Sequence, residues 1–132
     1  MTDKPAPKIL IVDDESDVET LFRQYFRKEI RYGVIELLFA SNATDAIKKL
    51  EVGKPPDIIY VFSDINMPGM NGFELLSVVQ EKFPEVKVCM ISAYATNEYK
   101  SKAKDLGADN YFTKPVNFSQ LKEKVQEIIN NN

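Results

Sequence analysis

The sequence predicts an α/β protein, a three-layer, doubly wound fold around a five-stranded parallel sheet. Three observations predict it. Five short β-type runs alternate with segments of helical spacing along the 132 residues. Most of these runs are nearly continuous in apolar residues, as expected when helices cover both faces of a parallel sheet. The connections are short, which favours repeated right-handed strand–helix crossovers.

Each element has its own signature. The first run spans residues 8–12 and is followed by a helical stripe of Val18, Leu21, Phe22, Tyr25 and Phe26, read as core. The second run spans 34–39; its helix is capped by Gly53 and ended by Pro55 and Pro56. The third spans 57–63. The fourth, 86–91, contains the lone cysteine, Cys89, in an apolar setting that marks it as a core residue, and Gly107 ends the helix behind it. The fifth, 110–112, is too short to stand alone and precedes a last helix striped by Leu121, Val125, Ile128 and Ile129. No repeat or low-complexity tract interrupts the pattern, so residues 1–132 read as one domain between a proline-containing start and the Asn130-Asn131-Asn132 tail.

Composition narrows the class. A hydrophobic share of 44%, a charged share of 28% and a net charge of −3 describe an ordinary globular protein. The mild acidity argues against nucleic acid as a direct partner. No apolar stretch approaches the roughly 20 residues that cross a bilayer, and the first residues lack the apolar region of a secretory signal. With one unpaired cysteine, the expected location is the cytoplasm, with no membrane partner.

In such a sheet, ligand chemistry gathers at the carboxyl ends of the strands, near the point where strand order reverses. Asp13 and Asp14 follow the first run, Asp64 the third, Ser92 the fourth, and Lys114 with Pro115 the fifth. Taken singly, each has a bland role. The acids and Ser92 could cap helices, Lys114 could be a solvated charge, and Asp64 could open a turn with Pro68, Gly69 and Gly72. Taken together, three carboxylates on one edge repel one another unless a cation joins them. Oxygen ligands in a chain with no histidine favour magnesium over zinc. Beside such an ion a carboxylate such as Asp64 can attack a phosphoryl group to form an aspartyl phosphate. Lys114 can supply a cation, and Ser92 a hydroxyl, to the phosphoryl oxygens.

Four segments carry a resemblance. They are Ile9-Leu10-Ile11-Val12-Asp13-Asp14-Glu15, the run from Ser63-Asp64 through Asn66, Pro68 and Gly69 to Gly72, Met90-Ile91-Ser92-Ala93, and Tyr111-Phe112-Thr113-Lys114-Pro115. In this order, over about residues 8–129, the chain resembles a response-regulator receiver domain of two-component signalling. The resemblance implies a flavodoxin-like sheet of strand order 2-1-3-4-5, with Asp64 as phosphoacceptor. It implies Mg2+ held by Asp13, Asp14, Asp64 and the backbone carbonyl of Asn66, and a phosphoryl group held by Ser92 and Lys114. Ser92 and Tyr111 are then the switch residues, and the Lys114–Pro115 peptide is cis. The implied partners are a sensor histidine kinase or phosphotransfer protein, whose phosphohistidine is the donor, and a downstream effector domain or protein. The implied output is a change in the surface of the fourth helix, fifth strand and fifth helix, with room for a phosphorylation-dependent dimer. Such a domain is a self-phosphorylating and self-dephosphorylating switch rather than a turnover enzyme.

The chain departs from the family pattern in small ways. Ser92 stands where threonine is common, residues 27–34 make a longer segment than usual, Ala43 replaces a frequent glycine, and Asn71 a frequent aspartate. An aspartate-nucleophile, magnesium-dependent phosphohydrolase is the alternative enzyme reading, but its acid/base aspartate two residues after the nucleophile is here Asn66. A receiver that acts without phosphorylation is disfavoured by the full set of site residues. A flavodoxin-like cofactor binder lacks its phosphate loop. The bulky Tyr94, two residues after Ser92, is expected to shield the phosphoryl group from water. The sequence names neither kinase nor output, and leaves open whether this is a stand-alone regulator or part of a longer protein.

Overall fold

A computed structural model describes residues 6–52 and 57–131. The elements run β1 (Lys8–Val12), α1 (Ser16–Tyr25), α2 (Arg27–Arg31), β2 (Glu36–Ala40), α3 (Ala43–Leu50), β3 (Ile58–Asp64), α4 (Gly72–Lys82), β4 (Lys87–Ser92), α5 (Asn97–Asp105), β5 (Asn110–Thr113) and α6 (Phe118–Asn130). The five strands are parallel in the order β2-β1-β3-β4-β5. Chain direction across the sheet therefore reverses between β1 and β3, which opens a crevice at their carboxyl ends.

Strand residues alternate between two cores. Leu10, Val12, Val61, Val88 and Met90 face the layer of α3, α4 and α5, where they meet Ala46, Leu50, Leu76, Val79 and Ala103. Ile9, Ile11, Tyr60, Phe62, Cys89 and Ile91 face α1 and α6, where they meet Phe22, Phe26, Leu121 and Val125. Because both faces are covered, the runs carry almost no polar residues. Each fully buried aliphatic or aromatic side chain contributes about 1.5–3 kcal/mol of transfer free energy. Four helices start on polar caps that satisfy free N–H groups: Asn42 on α3, Asn71 with Glu74 in a reciprocal capping box on α4, Thr96 on α5 and Asn117 on α6.

Three expectations need correction. Residues 27–34 hold a helix of their own, α2, so the expected fourth and fifth helices are α5 and α6. The strand expected from residue 34 starts at Glu36. The N–H groups of Val34 and Ile35 both donate to the Glu29 carbonyl, closing α2 through Gly33 at φ +70° before pairing with β1 begins. The α1 stripe is narrower than its apolar residues suggest: Phe22 and Phe26 are buried, but Leu21 is 48% and Tyr25 39% exposed. Tyr25 lies along the edge of α6, its ring 4.9 Å from that of Phe118. Gly107, at φ +95°, follows the end of α5 as expected, while the expected roles of Gly53, Pro55 and Pro56 lie outside the described residues. No helix among the described residues is long and apolar enough to cross a membrane.

At the amino edge of the sheet, one carboxylate ties three elements together. The hydroxyl of buried Tyr60 donates to Asp109 Oδ2 at 2.6 Å, and Lys124 of α6 reaches the same oxygen at 2.8 Å. Burial pushes the Asp109 carboxyl up, but the hydrogen bonds from Lys124 and Tyr60 outweigh it and hold it below its ordinary value of 3.8. A carboxyl lowered in the folded state stabilises above its unfolded value, and that stability is lost as pH falls through the folded one. Asp109→Asn is expected to lower stability by about 1 kcal/mol at pH 7, a figure discounted for partial exposure. The gap to the parent should close as pH falls below the usual carboxylate range, as read by urea unfolding across pH.

Candidate functional site

The strand register builds the site. Val12 pairs with Ser63, so the next residues, Asp13 and Asp64, stand side by side across the crevice. The Asp13 N–H donates to the Ala40 carbonyl, and the Lys114 N–H to the Ser92 carbonyl at 2.8 Å, prolonging pairing past the strand ends and fixing both residues. One ligand oxygen each from Asp13, Asp14 and Asp64 lie within 4.8 Å of one another. The Asp13 and Asp64 side chains, 5% and 7% exposed, lie deep in the crevice, whereas Asp14 is at the surface.

Lys114 is the counter-charge. Its Nζ donates to Asp13 Oδ2 at 2.9 Å and lies 3.5 Å from Asp64 Oδ2 and 3.9 Å from Glu15 Oε1. Burial works against the Lys114 ammonium, but the Asp13 hydrogen bond and the surrounding carboxylates reverse the balance and raise its pKa. Asp64 moves the other way for a charged pair. Burial, with repulsion from Asp13, raises its pKa despite Lys114. One ammonium therefore does not offset three carboxylates, and the all-oxygen set suits a hard divalent cation. The Asn66 carbonyl accepts no hydrogen bond among the described residues, so it is free to serve as a further oxygen ligand.

Neither Asp13 nor Asp14 is the N-cap of α1. The N-cap of α1 is Glu15, with no side-chain cap bond, and Asp13 Oδ1 instead accepts the Glu15 N–H at 2.9 Å. Ser92 caps no helix, since Thr96 caps α5; its fully buried Oγ accepts the Tyr94 N–H at 3.1 Å. The Tyr111 hydroxyl donates to the Tyr94 carbonyl, so the backbone of Tyr94 is gripped from both sides. Tyr111 packs on the α3–α5 core and its neighbour Phe112 on the α1–α6 core. The Tyr94 ring lies 5.3 Å from Tyr99, which in turn meets Phe73 edge-on at 5.5 Å. The Lys114–Pro115 peptide is cis.

Two contributors escaped the sequence reading. Ser63 sits in an apolar run with nothing to distinguish it, yet its buried hydroxyl donates to the Asp64 carbonyl at 2.9 Å and steadies the backbone of that residue. The Tyr94 carbonyl, a backbone acceptor, has no sequence signature at all.

The family model for the response regulator receiver domain matches residues 9–126. The chain belongs to the response-regulator receiver family. The receiver is 34% identical to chemotaxis protein CheY-3 of Vibrio cholerae over 92% of this chain and 90% of that one. It is 29% identical to sporulation initiation phosphotransferase F of Bacillus subtilis, over 92% and 93% respectively. A solved CheY-like receiver domain protein from Methanospirillum hungatei superposes with a TM-score of 0.82 at 31% identity, covering 96% of this chain and 95% of that one.

The receiver leaves no room for a side chain beneath its site. A Cβ on Gly72 would lie 2.3 Å from the Asp64 carbonyl oxygen and 2.7 Å from Ile65 Cα, both backbone atoms. Gly72→Ala is therefore expected to cost about 1–3 kcal/mol. Urea unfolding should register the loss, with amide resonance shifts centred on residues 63–66.

Proposed function

We propose that this receiver accepts a phosphoryl group on Asp64 from the phosphohistidine of a sensor kinase or phosphotransfer protein. The observation that carries this reading is the convergence of Asp13, Asp14 and Asp64 within 4.8 Å around a single shared ammonium, Lys114. In the reaction an Asp64 oxygen forms the new P–O bond as the donor's P–N bond breaks and the imidazole leaves with a proton. A Mg2+ ion held by Asp13, Asp14, Asp64 and the Asn66 carbonyl supplies charge neutralisation when bound. Lys114 stays protonated and turns from the carboxylates to the phosphoryl oxygens. Ser92 Oγ, already holding the Tyr94 N–H, donates its proton to another. Asn66, rather than a carboxylate, follows Asp64 by two residues, so nothing there activates water for turnover. This favours a switch over a phosphohydrolase.

The output reading rests on the Ser92–Tyr94–Tyr111 link. A phosphoryl group brings about −1.5 to −2 charge and three acceptor oxygens. Drawing Ser92 toward it shifts Tyr94, and through the Tyr111 hydroxyl biases β5 and the flanking faces of α5 and α6. An effector domain or protein, or a second copy of the chain, would read that surface. The outputs named for relatives differ, from chemotaxis to transcriptional regulation, and the chain spans 50% of transcriptional regulatory protein PrrA of Mycobacterium tuberculosis.

Acetyl phosphate with Mg2+ should add one phosphoryl group, visible by mass spectrometry, lost in Asp64→Asn and suppressed by EDTA. Modification persisting in Asp64→Asn, or steady release of phosphate from added phosphomonoesters, would overturn the reading. Tyr94, its ring parked on Tyr99 beside the site, is expected to slow hydrolysis of the acyl phosphate. Tyr94→Ala should shorten its lifetime several-fold, about 1 kcal/mol of barrier, measured as decay after the donor is removed.

A further inference from the structure

We infer that the outer face of α2, at the opposite end of the molecule from Asp64, is a docking surface for an acidic protein segment that carries an aromatic or apolar side chain. Helix α2 follows α1 directly through Phe26, and its charges are sorted. Its one acid, Glu29, turns inward to Lys122 of α6 at 3.0 Å, with its side chain 11% exposed. Burial works against the Glu29 carboxylate, yet the Lys122 hydrogen bond holds its pKa below the ordinary value, so it remains charged and paired. The outer face is left with Arg27, Lys28 and Arg31, all exposed, and among the described residues none has a carboxylate within ion-pairing distance. This is a local excess of positive charge on a chain of net charge −3.

The apolar component sits at the end of the same helix. The backbone turn at Gly33 leaves Tyr32 76% exposed and Val34 38% exposed. The segment is anchored on the Glu29–Lys122 pair, on Ile30 packed against the α1–α6 core, and on the hydrogen bonds from Val34 and Ile35 to the Glu29 carbonyl. A fixed turn loses little freedom when a partner binds. Arginine and tyrosine are the residue types that most often dominate interface energetics.

The charge count selects the partner. Three cations are fewer than the four to eight that characterise anionic-membrane recognition. The six to ten phosphate contacts of an ordinary nucleic-acid complex are also out of reach, and the acidic remainder of the chain repels a long polyanion. A short acidic protein segment meets the cations without meeting that remainder, and a slot for Tyr32 supplies the apolar part. The small area fits a weak, transient contact. Because α1, ten residues long, puts about 15 Å between the crevice and α2, binding should not depend on phosphorylation, and the inference does not rest on the proposed function.

The test is an amide NMR titration of the full chain with poly-L-glutamate and with a glutamate–tyrosine copolymer, in parallel with duplex DNA and phosphatidylserine vesicles. Shifts centred on residues 27–34 are expected, with the copolymer binding several-fold tighter than polyglutamate. The triple variant Arg27→Glu, Lys28→Glu, Arg31→Glu should bind at least tenfold more weakly. Tyr32→Ser should erase the copolymer's advantage, and acetyl phosphate should change nothing. Circular dichroism checks that both variants fold, and Lys28→Glu alone, expected to bind severalfold more weakly, serves if the triple variant does not. Equal shifts at other exposed lysines such as Lys100 and Lys104, unchanged binding in the variants, or tighter binding to DNA or vesicles would each overturn the inference.

Discussion

Three carboxylates gathered beside one ammonium form the constraint around which the molecule is organised. At the separation seen here, two unit charges repel by roughly 3 kcal/mol per pair at an effective dielectric near 20. Asp64 bears part of this cost, and its pKa, raised by burial and by repulsion from Asp13, records the burden. A loose scaffold would relieve the repulsion by letting the side chains swing out to water. This one cannot yield easily, because Asp13 and Lys114 are held by backbone pairing past the ends of β1 and β5, and the Asp64 carbonyl is wedged between Ser63 Oγ and Gly72. The apolar cores on both faces of the sheet supply the stability against which this tension is maintained.

Much of the fold and site could be read in the sequence because the controlling physics there is periodic or local. Continuous apolar runs mark buried parallel strands, and polar residues at their carboxyl ends mark the crevice, so Asp13, Asp14, Asp64, Ser92 and Lys114 could be found without coordinates. Tertiary effects escaped. Leu21 and Tyr25 carry helical spacing, yet the inner face of α1 has room for Phe22 and Phe26, and Tyr25 is claimed by Phe118. Helix α2 is five residues long, below the length at which an apolar stripe can declare itself, and it exists because Glu29, Ile30 and Gly33 meet partners distant in sequence or set by backbone turn geometry.

The hydroxyl of Ser63 and the carbonyl of Tyr94 show a second limit. Both act through hydrogen bonds to or from the backbone, and a backbone acceptor is the same at every residue. What made them consequential is position: one directly precedes Asp64, and the other lies between Ser92 and Tyr111. Sequence patterns find side chains with distinctive chemistry far more readily than they find such supports.

The alternation of β5 has a mechanical consequence. Tyr111 and Phe112 are adjacent in the chain but belong to opposite layers, so the strand acts as a partition between two bodies of side chains. If the Tyr111 ring moves as proposed, it disturbs the layer that also holds Tyr99, Leu106 and Ala103. The other layer holds Phe112, Phe118 and Leu121, on the side of the sheet facing away from the Tyr111 ring. Under the proposed switch, the sheet would then act as a rectifier as well as a scaffold, with a disturbance at its carboxyl edge emerging first on the Tyr111 side.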